Sequence, residues 1–330
     1  MFEIKLPTIS SSFDKEYHWI SNIGFSMIEY IDFEIGGRLI DRHTGEWLKI
    51  WLKLTTPAGK RELLDKMVGN IPSSRYARNI KIPLQFFFNK LTEHALPLIA
   101  LQYMEVKIVV KFRPVEQLMT FYGYQPLNSN DFKLETEPKI NLYGDYIYLD
   151  TKDRKRFAKL DHEYLVSLMQ HQEFTLDPDN PVPLELSTFF HPVKELIFTV
   201  QHEDSTSTGK ECCYFGSAGD TELFTSARIL FNGKSRGGIM DTGYLRLVQN
   251  MNHHTNIPSS NIYTYSFALR PEDMMQPSGT TNFTRIDKKT LELQFSENQK
   301  KNEKLKVKVF APHFNVLRIT QGLGALVYQC

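Results

Sequence analysis

Cysteine is scarce in these 330 residues: there are three, Cys212, Cys213 and Cys330, and two of them are adjacent. Neighbouring cysteines close only a strained bridge and the third has no mate, so no disulfide framework is expected and a reducing compartment is the simpler inference. Net charge is nearly absent as well, with 39 basic residues against 38 acidic ones. That balance argues against a dedicated nucleic-acid binder, whose surface is strongly basic. No run of about 18 apolar residues occurs, and Met1 to Pro7 has no signal-peptide layout. The expectation is a soluble protein made in the cytosol.

Helical periodicity is also thin. Leu160, Tyr164, Leu165, Leu168 and Met169 share one helical face, and a second short candidate carries Leu63, Leu64 and Met67. What the chain has in quantity is aromatic residues, 23 Phe and 15 Tyr, set in alternating or β-branched surroundings, which is sheet-forming composition. Val106, Ile108, Val110 and Phe112 alternate with polar residues. Leu291, Leu293 and Phe295 do the same, and so do Leu305, Val307 and Val309 against Lys306 and Lys308. Many such strands, separated by Gly, Pro and Asn turns, favour antiparallel sandwiches over a parallel α/β sheet.

The length suits two cores of roughly 150 residues each. Asp177 to Pro183 holds three prolines in seven residues, which neither continue a helix nor enter a sheet interior. The boundary is therefore expected there, giving domains 1–183 and 184–330.

The most informative stretch is 31–54. Ile31, Phe33 and Ile35 alternate with Asp32 and Glu34, Gly36 and Gly37 supply a tight reversal, and a second amphipathic strand is read through Asp41 to Trp47 and Trp51. Four apart on a strand, the two tryptophans face the same way. Core filling between two sheets is the favoured reading; a sugar- or base-stacking pair is the alternative.

Motifs that carry chemistry are weak. Gly233-Lys234-Ser235 resembles the end of a phosphate loop, but the glycine required five residues earlier is Arg228, so a hairpin turn at Asn232-Gly233 is expected instead. Gly322-Leu323-Gly324 has no room after it for a dinucleotide fold. His253-His254 has no third ligand at a metal-binding spacing, and Asp161-His162-Glu163, read on a helix, does not converge on one atom; both read as solvated polar groups. The basic cluster Lys152, Arg154, Lys155, Arg156 and Lys159 reads first as a solvated loop, and Lys300 to Lys308 as the exposed face of a strand pair. Asn282-Phe283-Thr284 fits a glycosylation acceptor that a reduced compartment leaves unused. No catalytic residue, cofactor or metal is expected.

Five blocks in order resemble the major capsid proteins of nucleocytoplasmic large DNA viruses, the iridovirus and phycodnavirus-like double jelly-roll family. They are the 31–54 stretch, Ile82-Pro83-Leu84-Gln85-Phe86-Phe87-Phe88 with Ala95-Leu96-Pro97-Leu98-Ile99-Ala100-Leu101-Gln102-Tyr103, and His191-Pro192-Val193-Lys194-Glu195-Leu196-Ile197. Tyr265-Ser266-Phe267-Ala268-Leu269 with Gln276-Pro277-Ser278-Gly279 and Asn282 is the fourth, and Asn315-Val316-Leu317-Arg318-Ile319 the last. The resemblance implies an all-β fold of two eight-stranded antiparallel jelly rolls with a few short helices. It also implies a homotrimer of six lobes building an icosahedral shell, touching neighbouring capsomers, minor capsid proteins and an internal viral membrane, with no specific nucleic acid. Assembly would take place in the host cytoplasm. A scaffold or minor shell protein of the same fold is the first alternative, and a carbohydrate-binding or hydrolytic β-sandwich a remote one. Architectural roles are expected for Gly36 and Gly37 in the turn, Trp47 and Trp51 in the first core, Pro83 and Pro97 at strand ends, and Gly279, Asn282 and Arg318 in the second half.

Overall fold

The computed structural model describes residues 1–11, 16–122, 132–203, 222–295 and 304–329; the three cysteines lie outside them. The first half runs β1 (Phe2–Leu6), β2 (Ile9–Ser11), β3 (Glu16–Trp19), α1 (Ile23–Ser26), β4 (Ile28–Ile35), β5 (Arg38–Thr44), α2 (Gly45–Thr55) and α3 (Ala58–Met67). It continues through β6 (Arg78–Ile82), β7 (Val106–Phe112), β8 (Met119–Tyr122), β9 (Phe132–Leu134), β10 (Lys139–Leu142) and α4 (Thr151–Lys159). The second half holds β11 (His162–Leu176), β12 (Leu184–Glu185), β13 (Pro192–Val193), β14 (Glu195–His202), β15 (Ser226–Phe231) and β16 (Lys234–Asp241). A π-helical turn, Tyr244–Val248, leads into α5 (Gln249–His253), and β17 (Tyr263–Ser266), β18 (Thr281–Asn282), β19 (Lys289–Gln294), β20 (Leu305–Thr320) and β21 (Leu323–Leu326) follow.

All ladders are antiparallel. In the second half β11, β20, β14 and β17 lie side by side, and β12, β19, β15 and β16 form the facing sheet. Leu196, Phe198 and Val200 of β14 and Val307 and Val309 of β20 meet Ala227, Ile229, Leu291 and Leu293 between the two layers. This is a jelly roll. In the first half β10–β1–β6 repeats the order β20–β14–β17, and β7–β4–β5 repeats β19–β15–β16, so among the described residues each of these sheets has three strands. The chain is a double jelly roll.

The two cores meet. Ile197 on β14 and Phe310, Leu317 and Ile319 on β20 belong to the first core, while alternate residues of the same strands point into the second. A sheet covered on both faces loses its polar alternation, and β14 is accordingly buried at seven consecutive positions, Glu195 to Gln201.

Several expectations need correction. The second strand of the 31–54 stretch ends at Thr44, and residues through Thr55 are helix. Leu160 to Met169 do not form a helix: β11 pairs with β20 along its whole length, and the helix sits earlier, where the basic cluster forms α4 rather than a loop. Asp150 starts α4 by accepting the Asp153 amide (2.8 Å), and its cations stay exposed. Asp161-His162-Glu163 therefore opens a strand. The Leu63–Met67 helix is present as α3. Both hairpin turns occur as read: Gly36 and Gly37 at φ 60° and 75°, Asn232 and Gly233 at 49° and 79°. Those left-handed angles match the twist of a two-residue hairpin.

Candidate functional site

Helix α2 is the piece that joins the halves. Thr44 caps it, its hydroxyl accepting the Trp47 amide at 3.1 Å, and Glu46 sits in the first turn where the helix dipole favours a carboxylate. Trp47 and Trp51 are one turn apart on this helix, not on a strand, and their rings lie 5.1 Å apart. Trp47 leans on Phe310 of β20 (5.7 Å), and Trp51 meets the ring of His254 edge-on (6.3 Å). Both tryptophans are buried, as core filling predicts, and buried rings line no sugar groove.

The second half also satisfies the far end of α2. Asn256 donates its amide to the Leu54 carbonyl (2.9 Å) and its side-chain Nδ2 to the Lys53 carbonyl (2.7 Å), filling acceptors that a helix terminus leaves open. Lys53 Nζ donates to Ser260 Oγ at 3.3 Å.

Buried charges accompany these contacts. Lys308 of β20 donates to the carboxylate of Glu46, and Arg113 approaches the same carboxylate at 3.4 Å; Lys308 is thus not on an exposed strand face. Its neighbour Glu173 lies 3.5 Å from Lys308 and 2.9 Å from Lys306. His254 likewise is not solvated. It sits between Glu195 (2.9 Å) and Glu272 (3.0 Å). Burial alone would lower its pKa, but the charge and hydrogen bond of Glu195, with the hydrogen bond of Glu272, hold it at about 9. Burial pushes Lys194 down to about 8, where its ammonium donates to the Pro271 carbonyl (3.0 Å) and lies 5.1 Å from the Phe314 ring centre. Lys90, otherwise exposed, brings its ammonium 4.4 Å from the Trp51 ring centre, and burial plus the charge of Lys194 lowers it to about 7.

Asp41 adds a third tie. Its carboxylate accepts the Met169 amide of β11 (3.0 Å) and lies 3.0 Å from His43 Nε2. His191, at φ 66°, stacks on His313 at 5.3 Å, its amide donating to the Thr284 hydroxyl (2.8 Å). Burial and the neighbouring His191 bring the pKa of His313 down to about 4.

The second-half motifs fold onto one another. Lys194 donates its amide to Pro312 O and accepts the amides of Phe267 and Ala268 at its own carbonyl. Ser278 accepts the Arg270 amide (2.9 Å) and donates to the Arg270 carbonyl (3.1 Å), which pins the Gln276-Pro277-Ser278-Gly279 loop against the end of the Tyr265–Leu269 segment. A side chain on Gly279 (φ 141°) would come within 2.8 Å of the Phe267 carbonyl. Pro192 pairs with Asn282, whose side chain accepts the Thr284 amide (3.0 Å). Asn315 holds the strand after it, donating to Tyr328 O (2.8 Å).

Other family positions are peripheral. Pro83 does follow the end of β6, but Pro97 opens a turn whose carbonyl accepts the Ala100 amide (2.8 Å), beside half-buried Leu96, and is at no strand end. Arg318 is a surface residue paired across strands with Glu163 at 2.7 Å.

Sequence reasoning found the tryptophans and Asp41 but missed Glu46, Lys308, Glu195, His254 and Glu272. The sequence signal for Glu46 and Lys308 is a charged residue beside apolar ones, as with Glu46 before Trp47, and the His254 cluster has none. Among the described residues no group of three His, Asp or Glu side chains is arranged to hold a metal ion, and no helix is long and apolar enough to cross a membrane. The acids and bases of the junction hold one another.

Comparison with known proteins decides what kind of molecule this is. Residues 153–325 match the family model for the large eukaryotic DNA virus major capsid protein, and residues 1–150 match that for the major capsid protein N-terminus. The chain belongs to this capsid protein family. The major capsid protein of Pyramimonas orientalis virus is 37% identical over 337 residues, covering 93% of this chain and 77% of the relative. That of Paramecium bursaria Chlorella virus 1 is 29% identical over 350 residues, covering 92% and 79%. The crystal structure of PBCV-1 VP54 superposes with a TM-score of 0.81 at 26% identity, over all of this chain and 89% of that one. The Faustovirus major capsid protein shares the fold at 11% identity (TM-score 0.75, covering 97% of this chain and 85% of that one). This capsid protein is therefore a structural component of the virion shell, and its relatives are structural rather than catalytic.

Proposed function

We propose that three copies of this chain join into a six-lobed, pseudo-hexagonal capsomer, and that such capsomers tile the icosahedral shell of a large double-stranded DNA virus. One observation carries the reading: α2 is buried by both rolls and tied to the second by the Glu46–Lys308 pair, the tryptophans and Asn256. Lobes locked in this way keep a fixed spacing, which a hexagonal lattice requires of its bricks. Residues 1–183 and 184–330 are the two segments of the brick, with β11 crossing over to pair with β20. Neighbouring capsomers and minor capsid proteins meet the polar rims, an internal membrane lies beneath, and synthesis and assembly take place in the host cytoplasm. The site residues Asp41, Trp47, Trp51, His191, Lys194, Gly279 and Asn315 act by holding segments together. Neither catalysis nor specific nucleic-acid binding is part of this role.

Sedimentation of the purified protein tests the reading: a trimer mass is expected, and particles imaged by electron microscopy should show six-lobed capsomers. A monomer at every concentration and salt would overturn it.

A further inference from the structure

Where the two cores meet, a small cleft opens beside helix α2. Trp47 and Trp51 of the helix, Gln85 and Lys90 of the segment after β6, Ser167 of β11 and Lys194 just before β14 stand at its wall. Its volume is about 20 Å³, room for one occupant the size of a water molecule. Both halves of the chain thus lend side chains to one confined space.

Two cations stand there without an acid. Lys194 is 2% exposed, yet its ammonium, which has three protons to donate, makes one hydrogen bond, to the Pro271 carbonyl. Its other neighbours are rings, Phe314 with its centre at 5.1 Å and Trp51 at 6.0 Å. Lys90 reaches the same Trp51 ring at 4.4 Å and, among the described residues, pairs with no carboxylate.

The acids close by are engaged elsewhere. Glu195 and Glu272 hold His254 between them, Glu272 also accepts from the Thr255 amide and hydroxyl, and Asp273 accepts the amides of Met275 (3.0 Å) and Gln276 (3.4 Å). Glu195 keeps one oxygen without a partner, but among the described residues no carboxylate lines the cleft. A buried ammonium that lacks a counter-charge is costly. Burial and the charge of Lys194 hold Lys90 at about 7, and burial holds Lys194 at about 8. A water molecule between them needs acceptors for its own hydrogens, whereas an anion needs only donors.

We propose that this cleft is a halide site, in which one chloride-sized anion bridges the ammoniums of Lys90 and Lys194, with the Gln85 amide and the Ser167 hydroxyl as neutral donors. Polyatomic anions such as phosphate exceed the space, so its size selects a single-atom ion. The two lysines come from different halves of the chain, and the ion therefore ties the halves together beside the Glu46–Lys308 pair. The site is complete within one chain and is independent of the trimer reading.

The test uses the full chain. In solution, the melting temperature should be higher in sodium chloride or bromide than in sodium gluconate at equal ionic strength, by about 2–4 °C once the halide exceeds its dissociation constant about tenfold. Lys90→Met removes one of the two cations at an exposed position and should abolish that difference while the circular dichroism matches wild type. A second measurement needs no variant. Crystals of the wild-type protein grown in sodium bromide should give an anomalous bromide peak in hydrogen-bonding contact with Nζ of both Lys90 and Lys194. An ordered water in place of the peak, equal melting in halide and gluconate, or an undiminished difference in Lys90→Met would each overturn the proposal. A bromide peak without the melting difference means binding at crystal concentration only, and overturns it too.

Discussion

Helices α2 and 244–253 stand at corresponding points of two similar rolls, yet one is buried on all sides and the other turns its apolar residues outward. The backbone plan is common to both, down to the paired left-handed turn residues, although one turn is Gly-Gly and the other Asn-Gly. The plan therefore leaves burial undecided. Side chains decide it: two tryptophans and a buried glutamate suit a helix sandwiched between rolls, whereas Gln249 and Asn250 suit one attached to its own roll by hydrogen bonds.

The sharpest way to break this contrast is a pair of truncations. Trp51→Ala should destabilise the chain by about 3–5 kcal/mol, because it opens a cavity at the junction, whereas Met251→Ala should change the stability of the isolated chain by no more than about 0.5 kcal/mol. Denaturant melts of both variants decide; equal losses would mean the helices are not differently covered. Next comes pH. The folded pKa of His254, about 9, lies above its unfolded value of 6.5, so its contribution is complete below pH 6.5 and is lost as pH rises through 9. The size is on the order of 2–4 kcal/mol. Burial raises the pKa of Glu272, but hydrogen bonds from His254 and Thr255 outweigh this and hold it below 4.5, so its contribution is present above 4.5 and fades on further acidification. Lys90 and Lys194, held down to about 7 and 8, gain stability as pH rises and oppose this loss, so the His254 share is read as the difference between wild-type and His254→Leu thermal melts, which should shrink from pH 6.5 to 10.

A smaller effect is expected at Asn250→Ala, about 1–3 kcal/mol, from the hydrogen bonds lost beneath the second helix. Its amide-exchange signature should be confined to 244–253 and β17. Arg318→Ala should cost at most about 1 kcal/mol, since the Glu163 pair is exposed and screened; a larger drop would make that surface pair part of the junction.

Much of this architecture was legible beforehand, and the failures share a cause. The alternation of β7 and the turns at 36–37 and 232–233 were readable because one face of each hairpin is polar. Helix α2 read as strand because Leu48, Ile50, Leu52 and Leu54 alternate with Lys49 and Lys53 at period two, although Trp47, Leu48, Trp51 and Leu54 also share one helical face. Strand β11 read as helix because Leu160, Tyr164, Leu165, Leu168 and Met169 mimic a helical face by spacing, and only the ladder to β20 reveals otherwise. The His254 cluster had no local signal at all, since Glu195 and Glu272 lie 59 and 18 residues from it in sequence.

Lys308 follows Glu46 by 262 residues. A ribosome delivering this chain releases the first roll when Glu46 has Arg113 nearby but not yet Lys308, the closer of its two cations. Completion of the first roll is thereby coupled to arrival of β20. The Glu46–Lys308 pair thus makes the finish of the first roll wait for a strand of the second.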